Sequence, residues 1–267
     1  MVEIIGIMRF NVVTRRGTRF KAMAGRQADE AVRAILQPDR IRKRLDLFRA
    51  IPMRSFQAQT DRDFRVLVLI SAALGDEFKQ ELHELQSACP FLMVHEVALD
   101  GDIRAAASAR LSPGRPAVTF RIDDDDALNP DFVGDLRSAA LRTEVGTVIS
   151  FENGFHLGAG RGRLAFQEVR RVNNAQGLAY VSDDGQSIYS LGSHGKIERF
   201  PIVVEGRRRA WMRALHDHSD SGARISKKLP VTYMPPEFLP DYAPEFDFLD
   251  GAEVCELLSR PQDAPST

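Results

Sequence analysis

Between Ile4 and Ile122 the chain repeats one pattern, a short apolar, β-branched run followed by a stretch of helical periodicity. The runs Ile4–Val13, Phe64–Ser71 ("FRVLVLIS"), Phe91–Val97 and Ala117–Ile122 ("AVTFRI") read as strands. An amphipathic helix over Arg40–Gln57, a second helix over Asp76–Ala88 and a small-residue helix over Asp102–Ala109 lie between them. Such alternation belongs to α/β proteins in which helices flank a mostly parallel central sheet. With 267 residues the chain fits one large α/β domain or two small ones, and a chain of this length buries about 75% of its unfolded surface.

The fourth run ends in four consecutive aspartates, Asp123 to Asp126, within "VTFRIDDDDALNPDF". Two carboxylates ~5 Å apart repel by about 3 kcal/mol at an effective dielectric of ~20, so the cluster calls for positive charge. A divalent cation such as Mg²⁺ or Mn²⁺, held by one or two carboxylates and by substrate phosphates, would supply it. The local alternative is a solvated acidic turn that caps the next helix. Position favours a site, because ligands of open α/β sheets bind outside the carboxyl ends of the strands. A calcium loop starting at Asp123 fails in detail: Ala127, Leu128 and Gly134 stand where that loop needs Asp or Asn, Gly and Glu.

Beyond the cluster, a short helix is expected from Asp131 to Leu141, then a strand and its turn in "GTVISFENGFHL". Residues 158–200 turn rich in Gly, Arg and Ser, suggesting loops and hairpins. A short helix over Arg208–His216, a loop containing "HDHSDSGARISKKLP", a Pro-rich segment, an apolar C-terminal turn and a disordered tail at 260–267 complete the reading. The organisation expected is a first half over 1–150, a second half over 151–245 sharing the sheet, and a C-terminal segment over 246–267. A net charge of −1 offers no general attraction for nucleic acid or acidic membranes. Cys89 and Cys255 suggest neither a disulfide framework nor a zinc knuckle, which fits a reducing cytoplasm. Glu3 and Arg9 interrupt any signal-like start, and no apolar run approaches the ~20 residues that span a bilayer. Membrane contact would be peripheral, at the inner face.

The strand order with "RIDDDDALNPDFV" after the fourth strand resembles the GT-A glycosyltransferase fold, in particular family 2-like enzymes that use nucleotide-sugar donors. "MRFNVV", "LFRAIPMRSFQAQTDRDFRVLVLIS", "FRIDDDDALNPDFV" and a late "W…LHDHS" together resemble a putative rhamnosyltransferase family of bacterial proteins over most of the chain. The resemblance implies a sugar, rhamnose in the family's name, moved from a nucleoside-diphosphate donor to a glycan or lipid-linked acceptor. It implies that Asp123 and Asp125 contact the donor ribose and a Mn²⁺ or Mg²⁺ ion, with Asp126 a third acidic neighbour and Asp124 turned away or capping the turn. A histidine from the C-terminal region often completes that cation site, and His216 or His218 could serve.

Asp217 and Glu152 are the carboxylates available as general base for the acceptor hydroxyl. Arg9, with Arg15 and Arg16, lies near the end of the first strand where base and diphosphate would sit. Arg121, inside the fourth strand, is expected to pair with a carboxylate of the cluster. His194 and the pair Lys227–Lys228 are weaker phosphate candidates on loops. The sequence departs from many relatives after "VLVLIS", where "AALGDEF" replaces an acidic pair and a Gly-Ser turn. A non-catalytic protein that keeps the same pocket is the class-distinct alternative.

Overall fold

The computed structural model describes residues 2–14, 28–192, 194–217, 225–226 and 228–259. Arg15, Arg16, His218, Lys227 and the segment 260–267 lie outside the described residues. In chain order the elements of the first half are β1 (Glu3–Phe10), α1 (Ala28–Ile35), α2 (Pro38–Phe48), α3 (Arg54–Gln57), β2 (Arg65–Ser71), α4 (Asp76–Ala88), β3 (Leu92–Val97), α5 (Ile103–Ser108) and β4 (Ala117–Asp123). There follow β5 (Ala127–Leu128), α6 (Phe132–Ala140), β6 (Val148–Phe151), β7 (Asn153–Gly160), β8 (Arg163–Arg170), β9 (Ala179–Ser182), β10 (Ile202–Glu205), β11 (Trp211–Leu215), β12 (Thr232–Met234), α7 (Leu239–Tyr242) and α8 (Gly251–Leu258).

Seven strands form the central sheet in the order β10-β6-β9-β4-β1-β2-β3. Every pairing in it is parallel except those of β9, which runs against both β4 and β6. The run Val66 to Ile70 is wholly buried because helices cover both faces, so it reads as continuously apolar rather than alternating. Along β1, Ile4, Met8 and Phe10 enter one core with Phe48, Phe56 and Phe120, while Ile5 and Ile7 enter the other with Leu69, Val148 and Tyr189. That is the two-residue period of a strand buried on both faces.

The expected helix over Arg40–Gln57 is present with one irregularity. Residues Arg49–Met53 form a π turn between α2 and α3, with Pro52 inside it. Proline has no N–H to give the α ladder, and widening the turn keeps the helix continuous. The helices expected near Asp76–Ala88, Asp102–Ala109 and Asp131–Leu141 also form; Asp102 caps α5 by accepting from Arg104 N at 2.8 Å.

Three expectations change. The helix expected over Arg208–His216 is the strand β11, which pairs with β7 in parallel and with β5 antiparallel. Pairing on both sides overrides the helical propensity of "MRAL". The turn expected after β6 is the start of β7, where the chain leaves the central sheet for a second, five-stranded one of order β12-β8-β7-β11-β5. The apolar C-terminal turn is the helix α8, whose N-cap Asp250 accepts from Ala252 N and Glu253 N at 3.0 and 3.1 Å. The second half thus does two things: β6, β9 and β10 extend the central sheet, while β7, β8, β11 and β12 build the other. Val254, Cys255 and Leu258 of α8 pack with Phe155, Leu157 and Phe166 on one face of that second sheet. Among the described residues, no helix is long and apolar enough to cross a membrane.

Trp211, wholly buried, crosses over Gly154 on the neighbouring strand and donates its indole N–H to Phe151 O at 2.9 Å. A Cβ at Gly154 would stand 2.2 Å from the Trp211 ring and 2.4 Å from its carbonyl oxygen. Gly154→Ala is therefore expected to cost about 3 kcal/mol or more in stability, read as a fall in the urea midpoint.

Candidate active site

The site is built where β4 stops. Asp123 is the last residue of β4 and Ala127 the first of β5, so the four aspartates bridge the central sheet and the second sheet. The bridge is braced by α2 and α3. Ser55 Oγ accepts from Leu128 N at 2.8 Å and donates to Leu128 O at 3.0 Å. Gln59, just beyond α3, donates to Asn129 O at 2.7 Å and accepts from Val133 N at 3.0 Å.

Each aspartate is held differently. Asp123 is half-buried and lies opposite Arg9 in the β1–β4 register. Asp124 points away from the face that carries Asp123: it is buried and paired through both oxygens with Arg44 of α2, Nε donating to Oδ2 at 2.9 Å. Alternation along β4 sends Asp124 to the face that α2 covers. Burial raises its pKa against the pull of Arg44, to about 6, which leaves it ionised at neutral pH.

Asp125 meets His216, which follows β11 and stands 91 residues away in sequence, with Nε2 and Oδ2 2.9 Å apart. Burial opposes charge on Asp125, but the His216 hydrogen bond and the charges of Arg44 and Arg213 outweigh it and lower the pKa. An ionised carboxylate only accepts, so the His216 Nε2–H donates. Asp126 accepts from Gln176 Nε2 and, at 3.0 Å, from Ala214 N of β11. Burial, with repulsion from Asp125 and Asp123, raises its pKa well above the usual carboxylate range. Both oxygens of Asp126 are thus engaged within the protein, where the sequence suggested a third acidic ligand.

Arg9 and Arg121 share a face of the sheet with Asp123. Their guanidinium carbons lie 5.6 and 5.1 Å from the centre of the Tyr189 ring, within cation–π range. Arg121, expected to pair with the cluster, lies over Tyr189 because Asp124 has turned to the opposite face. The Glu152 side chain is ion-paired with Arg170 at 2.9 Å, at the crossing from β6 to β7. Asp217 is exposed beside His216. His194 opens a 3-10 turn, His194–Arg199, and Lys228 is exposed. Among the described residues, no group of three or more His, Cys, Asp and Glu side chains could hold a metal ion. The donors present fit a cation completed by substrate phosphates, which needs only one or two carboxylates, and not a closed protein cage.

Four residues went unremarked in the sequence: Arg44, Asn11, Arg213 and Gln176. Arg44 could have been found as a cation on the otherwise apolar face of the Arg40–Gln57 helix. Asn11 follows β1 with φ of 45°, is 5% exposed, and has neither amide atom hydrogen-bonded among the described residues. Arg213 and Gln176 carried no local signal.

The architecture is that of an α/β protein whose central, mostly parallel sheet ends its β4 strand in an acidic turn. The model of a family described as putative rhamnosyl transferase matches residues 3–228, and the chain belongs to that family. No curated protein matches the sequence. Among solved structures, S. aureus TarS in complex with UDP-GlcNAc is similar at a TM-score of 0.48 and 12% identity, over 96% of this chain and 70% of that one. TarS in complex with UDP gives 0.46 and 10%, over 80% of this chain and 61% of its own length, less than two thirds. A putative glucose-1-phosphate thymidylyltransferase from Bacillus anthracis, in complex with a sucrose, gives 0.38 and 10%, over 84% and 92%.

Two outcomes follow from the charge arrangement. Arg44→Met strands a buried carboxylate and is expected to cost about 3–5 kcal/mol, much of which the double variant Arg44→Met/Asp124→Leu should recover in denaturant titrations. His156 on β7 has its pKa lowered from 6.5 to about 4 by burial and by the charges of Arg213 and Arg171. The unfolded imidazole takes up its proton first, so this group's contribution is intact above pH 6.5 and is lost as the pH falls to about 4. The slope is at most about 1.4 kcal/mol per pH unit. His156→Gln should flatten the fall in stability across that window.

Proposed function

We propose that the protein transfers a sugar from a nucleoside-diphosphate donor to a hydroxyl of a glycan or lipid-linked acceptor, with Mn²⁺ or Mg²⁺ bound beside the diphosphate. The observation that carries this reading is the convergence of His216, from the far half of the chain, onto Asp125 in the turn where the two sheets meet. Family membership supports glycosyl transfer, and its description puts rhamnose first among the sugars to test.

In this reading Asp123, Asp125 and His216 face the cation and the diphosphate. The cation, when bound, stabilises the negative charge that develops on the diphosphate leaving group. Arg9 and Arg121 add guanidinium charge on the same side of the sheet, suited to phosphate oxygens, and Asn11 at the end of β1 offers an amide to the base. Asp126, accepting hydrogen bonds at both oxygens, holds β11 to the turn and so keeps His216 beside Asp125. Asp217 is the exposed carboxylate next to that pair and the first candidate to take the acceptor proton. Glu152 would first have to leave Arg170. The donor would occupy the half before residue 150 and the acceptor the half over 151–245.

Calorimetric titration of UDP, GDP and dTDP in the presence of Mn²⁺ tests the reading. One nucleotide should bind in a cation-dependent way, and Asp125→Ala should weaken it at least tenfold. Chelation of the metal should abolish it in wild type. Binding without turnover of the matching sugar nucleotide on any acceptor would instead make the chain a nucleotide-sugar-binding protein. No binding at millimolar concentration would overturn the donor site.

A further inference from the structure

The connection between β8 and β9, Arg171 to Leu178, runs across the carboxyl ends of β6 and β4 and is pinned at both. Arg171 N donates to Glu152 O at 2.7 Å and Asn173 N to Ser150 Oγ at 3.1 Å, at the β6 end. Gly177 N donates to Arg121 O at 2.9 Å and Arg121 N to Leu178 O at 3.0 Å, at the β4 end. Gln176 reaches from the same segment to Asp126. The backbone takes left-handed turns at Asn173, φ 63°, and at Gly177, φ 72°.

So firmly held a segment should have its buried polar atoms satisfied. Its side chains are the exception. Asn174 is 6% exposed and Gln176 1% exposed, yet among the described residues Asn174 Nδ2, Gln176 Oε1 and Asn173 Oδ1 have no hydrogen-bond partner. His156 presents a fourth such atom, Nδ1. It lies opposite Arg213 in the β7–β11 register, and Arg213 is the cation whose field reaches Asp125 and Asp126.

The chemistry of these atoms selects a ligand class. A phosphate only accepts, and amide oxygens would repel it; a cation gains nothing from an amide N–H. A set that mixes donor and acceptor amides matches groups that do both, as each hydroxyl of a sugar does; a nucleobase edge does so too, and would show as equal weakening of free and conjugated nucleotide. We infer that the Arg171–Leu178 segment reads the hydroxyl groups of a sugar, with Asn174 as a specificity-determining side chain and Gln176 linking this wall to the acidic turn. The inference rests on the glycosyl-transfer reading and adds to it the side chains that would recognise the sugar. That sugar is either the one carried by the donor or the one that terminates the acceptor, and the two sources separate in the test.

Asn174→Ala and Asn174→Leu are compared with wild type in three measurements, using the nucleotide that binds in the titration above. These are the affinity for the free nucleoside diphosphate, the affinity for its rhamnose conjugate, and the KM for p-nitrophenyl glycosides as acceptors. If the wall reads the donor sugar, the conjugate binds at least tenfold more weakly while the free nucleotide binds as before. If it reads the acceptor, both nucleotide affinities hold and the glycoside KM rises at least tenfold. In either case the melting temperature stays at or above that of wild type, since the variants remove no intramolecular bond of Asn174 Nδ2. The leucine variant preserves side-chain volume should alanine let the segment collapse. Unchanged values in all three, equal weakening of free and conjugated nucleotide, or a melting temperature several degrees lower in both variants would overturn the inference. A wild type that binds no nucleotide would overturn the glycosyl-transfer reading itself and this inference with it.

Discussion

Three buried carboxylates in a row, Asp124 to Asp126, are the constraint around which the structure is arranged. Neighbouring carboxylates repel by about 3 kcal/mol at ~5 Å under an effective dielectric of ~20, and removing them from water adds to the cost. The protein answers with three devices. Arg44 neutralises Asp124 through both oxygens, the His216 hydrogen bond and the field of Arg213 keep Asp125 ionised, and Asp126 is pushed towards its neutral form while Gln176 and Ala214 occupy it. The outcome is one anionic oxygen pair held rigidly next to an imidazole, in a turn that cannot shift without breaking contacts to α2, β11 and the β8–β9 connection.

The same turn explains how two sheets come to form one site. The chain passes from the central sheet to the second at Asp124–Asp126 and again at Glu152, and both crossings lie at the carboxyl ends of parallel strands. Ligand sites in open α/β folds occur there because strand ends release loops into one concave region. The second sheet meets the acidic turn from its other end: β11 carries Arg213 and runs into His216, and His156 of β7 lies opposite Arg213 in the register. Trp211 locks the sheets together by lying across Gly154 and bonding to the carbonyl of Phe151, the last residue of β6.

How much of this could be read beforehand depended on whether the signal was local. The runs "FRVLVLIS" and "AVTFRI" are strands on any reading, since continuous burial leaves a continuous apolar string. The helix over Asp76–Ala88 carries its acidic residues in the first turn, where the helix dipole favours them. The strand β11 defeated the same logic because nothing in "RRRAWMRALH" reveals that β5 and β7 flank it. The helix α8 was legible and overlooked: Asp250 followed by Glu253 is an N-cap with an acidic first turn.

The sequence by itself determined the α/β class, the position of the acidic turn at the end of the fourth strand, and the family, because these depend on short-range periodicity and on motifs continuous in the chain. Only the tertiary structure decided which partner each aspartate takes. Arg44 reaches Asp124 across 80 residues and His216 reaches Asp125 across 91, pairings set by how α2 and β11 pack. It alone also brought the Gln176 amide to that turn and buried Asn174 two residues before it, because burial is a property of the packed molecule, and a polar side chain shows no sign in the sequence of whether its partner lies inside the fold.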